Sequence, residues 1–250
     1  KTNYSYPEPW YIAKHGFLFL HTRYKEGRGL NWQTSADGVT WSEPKLLAHF
    51  DEGHYQVSWP HGEKVGTAFN YHPKAFQGNK ENHGLNWRTN LYYLETSDMG
   101  ETWRNAAGDP VATPIKEVKN AALVHDFEME GLLVYICDIN YDANGKPIIL
   151  FVTSRSWKPG PGEREWRIAH WSGGDWRLHT VCRSDHNYDM GSLYIEKDAW
   201  RIAASSAPGP QPFSTGGELQ LWESRDEGKI WSKVRDITKN SALNHTYARK

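Results

Sequence analysis

The 250-residue sequence has almost no net charge, only two cysteines and no long apolar run. Each shortage removes a class of explanation. With 29 basic residues set against 30 acidic ones, no global field draws the chain to nucleic acid or to an anionic membrane, so a polyanionic partner has to be recognised locally. No stretch approaches the roughly 20 apolar residues that a membrane-crossing helix needs. The opening KTNYSYPEPW does not read as a signal peptide, so the compartment is not stated by the residues themselves. Cys137 and Cys182 make either one disulfide or two buried thiols, and a single pair is no disulfide framework. The length does not demand two domains, because all-β domains often reach this size.

Aromatic residues are plentiful instead. Thirteen Trp and thirteen Tyr in so polar a chain supply flat faces that suit sugar rings as well as cores. A turn motif recurs among them: TSADGVTW at 34–41, TSDMGETW at 96–103 and SRDEGKIW at 224–231. Each copy lies between two short alternating segments, so each is expected to be a hairpin turn. The hydroxyl and Asp side chains bond backbone N–H groups inside it, Gly supplies a positive φ, and Trp plugs the sheet interface. This is the Asp-box, or BNR, pattern. Trp41 and Trp103 are 62 residues apart and Trp103 and Trp231 are 128 apart, close to two such periods. A degenerate copy is therefore expected in between, and HWSGGDW at 170–176 fits.

A repeat of about 60 residues carrying four strands is one blade of a β-propeller. The fold class expected is all-β, a propeller of four-stranded blades in a single domain over 1–250. The blades fall at about 5–50, 51–118, 119–182 and 183–240, and 241–250 starts a fifth. Four blades and a start do not obviously close a ring, which points to part of a larger propeller.

A second regularity lies just before each expected innermost strand: GHYQ, VHDF, DHNY and NHTY, giving His54, His125, His186 and His245 at spacings of 71, 61 and 59 residues. His72 ends the strand that pairs with the one following His54, and antiparallel pairing brings those two ends together. The expectation is a rim of imidazoles with Tyr55, Tyr71 and Tyr188 beside them, residue types suited to proton transfer. The competing reading is a set of histidines that only satisfy backbone groups at a repeated turn.

The longer segments GHYQVSWPHGEKVGTAFNYHP, RTNLYYLETSDMGETW and SDHNYDMGSLY resemble the BNR_4 type of Asp-box propeller, which includes ulvan lyases and relatives acting at rhamnose-glucuronate linkages. That resemblance implies a seven-bladed propeller, secretion or export to the periplasm, and β-elimination on an anionic, uronate-containing polysaccharide. Such a reaction needs a neutralised carboxylate, a base for the C5 proton and an acid for the departing oxygen. By motif position the resemblance makes His54 and His72 the catalytic pair, with Tyr188 a candidate for a further proton carrier or a substrate contact. Arg88, Arg155, Arg164 and Tyr71 are the candidate substrate contacts, since arginines pair with carboxylate or sulfate bidentately. The family is expected to carry a catalytic tyrosine near PIILFVTS, and this chain has none between Lys146 and Arg164.

The resemblance further implies a structural zinc site made of His170, Cys182, His186 and His245, donors that suit tetrahedral Zn²⁺. The strand reading places His170 at the opposite end of its blade from the other three. No organic cofactor is expected. Two functions compete with the lyase: a glycoside hydrolase of rhamnosidase or sialidase type, and a noncatalytic glycan-binding propeller.

Overall fold

A computed structural model describes residues 3–25, 27–186 and 190–249. It contains four antiparallel sheets of four strands each and one short 3-10 turn, Leu85–Trp87. The chain divides into two compact units, Lys1–Glu128 and Met129–Lys250, each holding two of the sheets.

In the first unit, one sheet consists of β1 (Tyr4–Ile12), β2 (Gly16–Tyr24), β3 (Arg28–Ser35) and β4 (Lys45–Ala48). The other consists of β5 (Gln56–His61), β6 (Lys64–Tyr71), β7 (Thr89–Thr96) and β8 (Leu123–His125). Strands in each run in sequence order, the meander of a propeller blade. Leu18, Leu20, Leu30, Trp32, Phe69, Tyr92, Leu94 and Trp103 form one buried core between the two sheets. Trp32 and Trp103 meet edge to face at 5.6 Å.

The second unit repeats the plan. β9 (Leu133–Tyr141), β10 (Pro147–Ser154), β11 (Arg164–Trp171) and β12 (Trp176–Ser184) make one sheet, and β13 (Ser192–Ile195), β14 (Trp200–Ala207), β15 (Glu218–Ser224) and β16 (Ser232–Asp236) the other. β10 is buried along its whole length, which is why it reads as an unbroken apolar run instead of an alternating one. The buried Asp138 of β9 accepts from the Leu193 amide of β13 at 2.8 Å. Both cysteines are buried free thiols.

The Asp-box turns behave as their chemistry requires. In the second copy the Thr96 hydroxyl donates to Asp98 at 2.8 Å, and the amides of Gly100 and Thr102 donate to Thr96 Oγ1 at 2.9 Å and to Asp98 Oδ1 at 2.8 Å. The first and fourth copies make the same bonds through Ser35 with Asp37 and Ser224 with Asp226. Gly100, at φ +89°, lies so close to Trp32 that a Cβ there would stand 2.2 Å from the indole nitrogen. The HWSGGDW turn is different: its Ser172 amide donates to the Asp175 carbonyl at 2.9 Å.

Two expectations change. The segment 4–12 is a full strand of the first sheet. His125 closes the second sheet as the last residue of β8, opposite Leu91, so that sheet runs past the expected boundary at 118 and His125 does not occupy the place His54 holds.

Candidate functional site

The β5–β6 hairpin joins at Gly62–Glu63, with His61 opposite Lys64 and Gln56 opposite Phe69. Pairing continues beyond the strands: the His72 amide donates to the Gly53 carbonyl at 2.8 Å and the Glu52 amide to the His72 carbonyl at 3.0 Å. The two histidine backbones therefore meet. Their rings do not, because side chains alternate across a sheet.

His54 points into the core with Tyr71. Its ring packs against Phe50 at 4.4 Å and Phe69 at 5.5 Å. Nδ1–H donates to the Asn70 carbonyl at 2.9 Å, and Nε2 accepts from the Phe50 amide at 3.3 Å. Fully buried, it is held neutral, its pKa lowered to about 3 chiefly by burial. Both ring nitrogens are engaged by backbone groups, as in the reading of a histidine that satisfies a repeated turn. Tyr71 likewise packs on Phe50 and Tyr92, and its hydroxyl donates to Glu128. It belongs to the buried core.

His72 points the other way, with Tyr55. The two rings meet edge to face at 4.7 Å, and the Arg88 guanidinium lies over the Tyr55 ring at 4.8 Å. Arg88 follows the 3-10 turn directly and is buried. Tyr6 contacts Tyr55 at 4.8 Å. It is pushed out of β1 where the register slips between Ser5 and Glu8, at a φ of 53°. The Tyr6 hydroxyl pKa is raised, first by burial and then by its hydrogen bond to Tyr55. Among the described residues neither nitrogen of His72 has a hydrogen-bond partner, although the residue is fully buried. Burial, then the cationic Arg88 and Arg28 with the neighbouring imidazole of His54, hold its pKa well below the usual imidazole value. The cluster grades from interior to surface: His72 and Arg88 are buried, Tyr55 and Arg28 half-buried, Tyr6 exposed.

Chemically the cluster sets the guanidinium groups of Arg88 and Arg28 beside a phenol and a buried neutral imidazole. Tyr6 and Arg28 were missed in the sequence. Tyr6 sits in an opening segment with no motif, and Arg28 in a polar turn. The hairpin itself carried the missed signal, since a two-residue turn at Gly62–Glu63 fixes the register and hence the face of every side chain.

The other candidates lie elsewhere. Arg164 is buried and staples its own loop, donating to the carbonyls of Lys158, Gly160 and Gly162. Arg155 is exposed at a pocket of ≈ 340 Å³ and donates to the Glu130 carbonyl. Tyr188 lies outside the described residues.

The proposed zinc ligands do not gather. Cys182 is opposite Trp166 and His170 opposite Arg177, four residues apart along β11 and hence roughly 13 Å at strand rise. Zinc–ligand bonds are only about 2.0–2.3 Å. His170 Nε2 is bonded to Asp142 at 3.0 Å. His186 turns its ring nitrogens to Asp185 at 2.5 Å and to the Ser205 carbonyl at 2.6 Å. His245 bonds Ser241, and burial pushes the Cys182 thiol up to about 12. These residues do not fit a four-ligand zinc centre. Among the described residues no three His, Cys, Asp or Glu side chains stand together as a metal site.

Four-stranded antiparallel blades, with Asp-box turns leading from third to fourth strand in three of them, define the class, a β-propeller fold. The chain belongs to the BNR repeat-containing family, BNR_4, whose match runs over residues 1–184. Among solved structures it is similar to an ulvan lyase representing a polysaccharide lyase family, at 15% identity and a TM-score of 0.73, over 94% of this chain and 56% of that one. An ulvan lyase structure bound to -[GlcA(1-4)Rha3S]- matches at 14% identity and a TM-score of 0.71, over 94% of this chain and 56% of that one. The Trypanosoma rangeli sialidase in complex with the inhibitor DANA matches at 12% identity and a TM-score of 0.56, over 93% of this chain and 38% of that one. At these identities the likeness is one of fold. The chain spans about half the length of the ulvan lyases. No curated protein sequence matches it.

Proposed function

We propose that this protein is a polysaccharide lyase that cleaves a uronate-containing polymer by β-elimination at the His72–Tyr55–Arg88 cluster. The observation that carries the reading is His72, a buried neutral imidazole with no partner at either nitrogen. A buried polar group without a bond costs about 1–3 kcal/mol, and such strain concentrates where a ring has work to do.

Arg88, with Arg28 beside it, takes the uronate carboxylate and withdraws its negative charge from C5. One proton leaves C5, the electron pair forms the C4=C5 double bond, the C4–O4 bond breaks, and one proton reaches O4. Tyr55, at the half-buried edge of the cluster, is the carrier that faces the sugar. His72 behind it is the neutral acceptor, and Tyr6 offers aromatic surface for the ring. The sulfated polymer named in the similar ulvan lyase complex makes an ulvan-type substrate the first choice. The same reading places the protein outside the cytoplasm, secreted or periplasmic, where such polymers are met.

The complete protein, incubated separately with ulvan, glucuronan and rhamnose-capped arabinogalactan, is expected to generate ultraviolet absorbance from an unsaturated uronate. New reducing ends without that absorbance would instead mark a glycoside hydrolase. Saturable binding without either product would mark a glycan-binding propeller.

A further inference from the structure

A second cluster of charged groups lies in the other unit. The end of β9, the hairpin between β11 and β12 and the Ser224–Trp231 turn enclose a pocket of ≈ 220 Å³. Its cationic wall is Lys146, Arg177 and Lys229, with the imidazoles of His170 and His179. Two carboxylates belong to the same lining, Asp142 and Glu227. Asp142 is spent internally: Oδ1 accepts the amides of Asn144 at 2.8 Å and Lys146 at 2.9 Å, and Oδ2 accepts from His170 at 3.0 Å. Arg177 Nε pairs with Asp175 at 3.5 Å, so the cavity carries the charges of Lys146, Lys229 and the rest of the Arg177 fork against that of Glu227. Lys146 is held in place through the Ser172 carbonyl at 3.2 Å.

We propose that this pocket binds a small oxyanion of tetrahedral geometry, sulfate or phosphate. Size excludes an oligosaccharide, because pockets that enclose drug-sized ligands begin at about 300 Å³. The donor set fits an oxyanion: the Arg177 guanidinium gives a planar fork, the two lysines give mobile point charges, and His179 adds a ring nitrogen. Burial, then His170, lowers the His179 pKa, with Arg177 and Lys229 acting in the same direction and Asp226 against them. An anion in the cavity reverses the balance and raises it. This inference stands apart from the elimination chemistry.

The test is calorimetric titration of the protein with sodium sulfate and with sodium phosphate, against sodium chloride at matched ionic strength, alongside NMR titration of the His179 ring. Saturable binding at one site is expected, with at least a tenfold loss in each of Arg177→Ala and Lys229→Ala and tighter binding in Glu227→Gln. The His179 pKa should rise in the presence of the anion. Preference for sulfate points to sulfated ligands and preference for phosphate to phosphorylated ones, and either supports the site. Binding no stronger than chloride, or binding that survives Arg177→Ala and Lys229→Ala together, overturns it.

Discussion

At the residue scale, two histidines of one hairpin have opposite natures. His54 donates to one backbone group and accepts from another inside an aromatic cage. Its replacement by Ala strands both groups and leaves a cavity, a loss of about 2–4 kcal/mol that urea unfolding should register. His72→Ala removes a ring that has no hydrogen bond to lose, so its stability cost should be the smaller of the two while product formation falls at least a hundredfold. Arg88→Lys keeps the charge but not the fork, and should raise KM for polymer with little change in fold, read by steady-state kinetics. The hairpin that holds the candidate site was legible in GHYQVSWPHGEKVGTAFNYHP, but which side chains share one face of it was not. Pattern alone treats His54 and His72 as equivalents, whereas the pleat sends one to the core and the other to Arg88 and Tyr55. Tyr6 reaches the cluster only through an irregularity in β1, a feature no periodicity announces.

At the element scale, the Asp-box turns made the blades readable, because a hydroxyl, a carboxylate and a positive-φ glycine at fixed offsets permit little else. Gly100 shows how tight that is. Gly100→Ala forces a side chain into left-handed backbone and into Trp32, a cost on the order of 2 kcal/mol. Gly174→Ala, in the divergent third turn, meets open space and should leave the melting temperature nearly unchanged. Thermal melts of the two variants make the comparison. Elements without such a turn were harder to read. β8 is three residues long, too short for alternation to appear, and its His125 imitates the histidine that precedes β5. The zinc set failed for a related reason: His170 and Cys182 belong to one hairpin, yet the strand length between their pairing positions keeps them apart.

At the scale of the whole molecule, the balance of 29 basic and 30 acidic residues leaves recognition of a polyanion to local clusters. The first unit also carries an acid sensitivity. His21, His54 and His72 are all held neutral by burial, with pKa values lowered to about 4, to about 3 and well below the ordinary value. Each accepts a proton more readily unfolded than folded. Their contribution is therefore complete above pH 6.5 and is lost as pH falls from there toward 3, at roughly 1.4 kcal/mol per unit of pKa difference. Near-UV circular dichroism with urea at stepped pH should show the midpoint falling across that window. A midpoint flat from pH 7 to 4 would mean the rings are solvated. The central claim is that His72, Tyr55 and Arg88 perform an elimination on a uronate. The most direct measurement is the initial rate of unsaturated-uronate absorbance on a uronate polymer for the unaltered protein, Tyr55→Phe and Tyr71→Phe. The rate should collapse in Tyr55→Phe and persist in Tyr71→Phe. An undiminished rate in Tyr55→Phe, or no double bond formed by the unaltered protein on any uronate polymer, would contradict it.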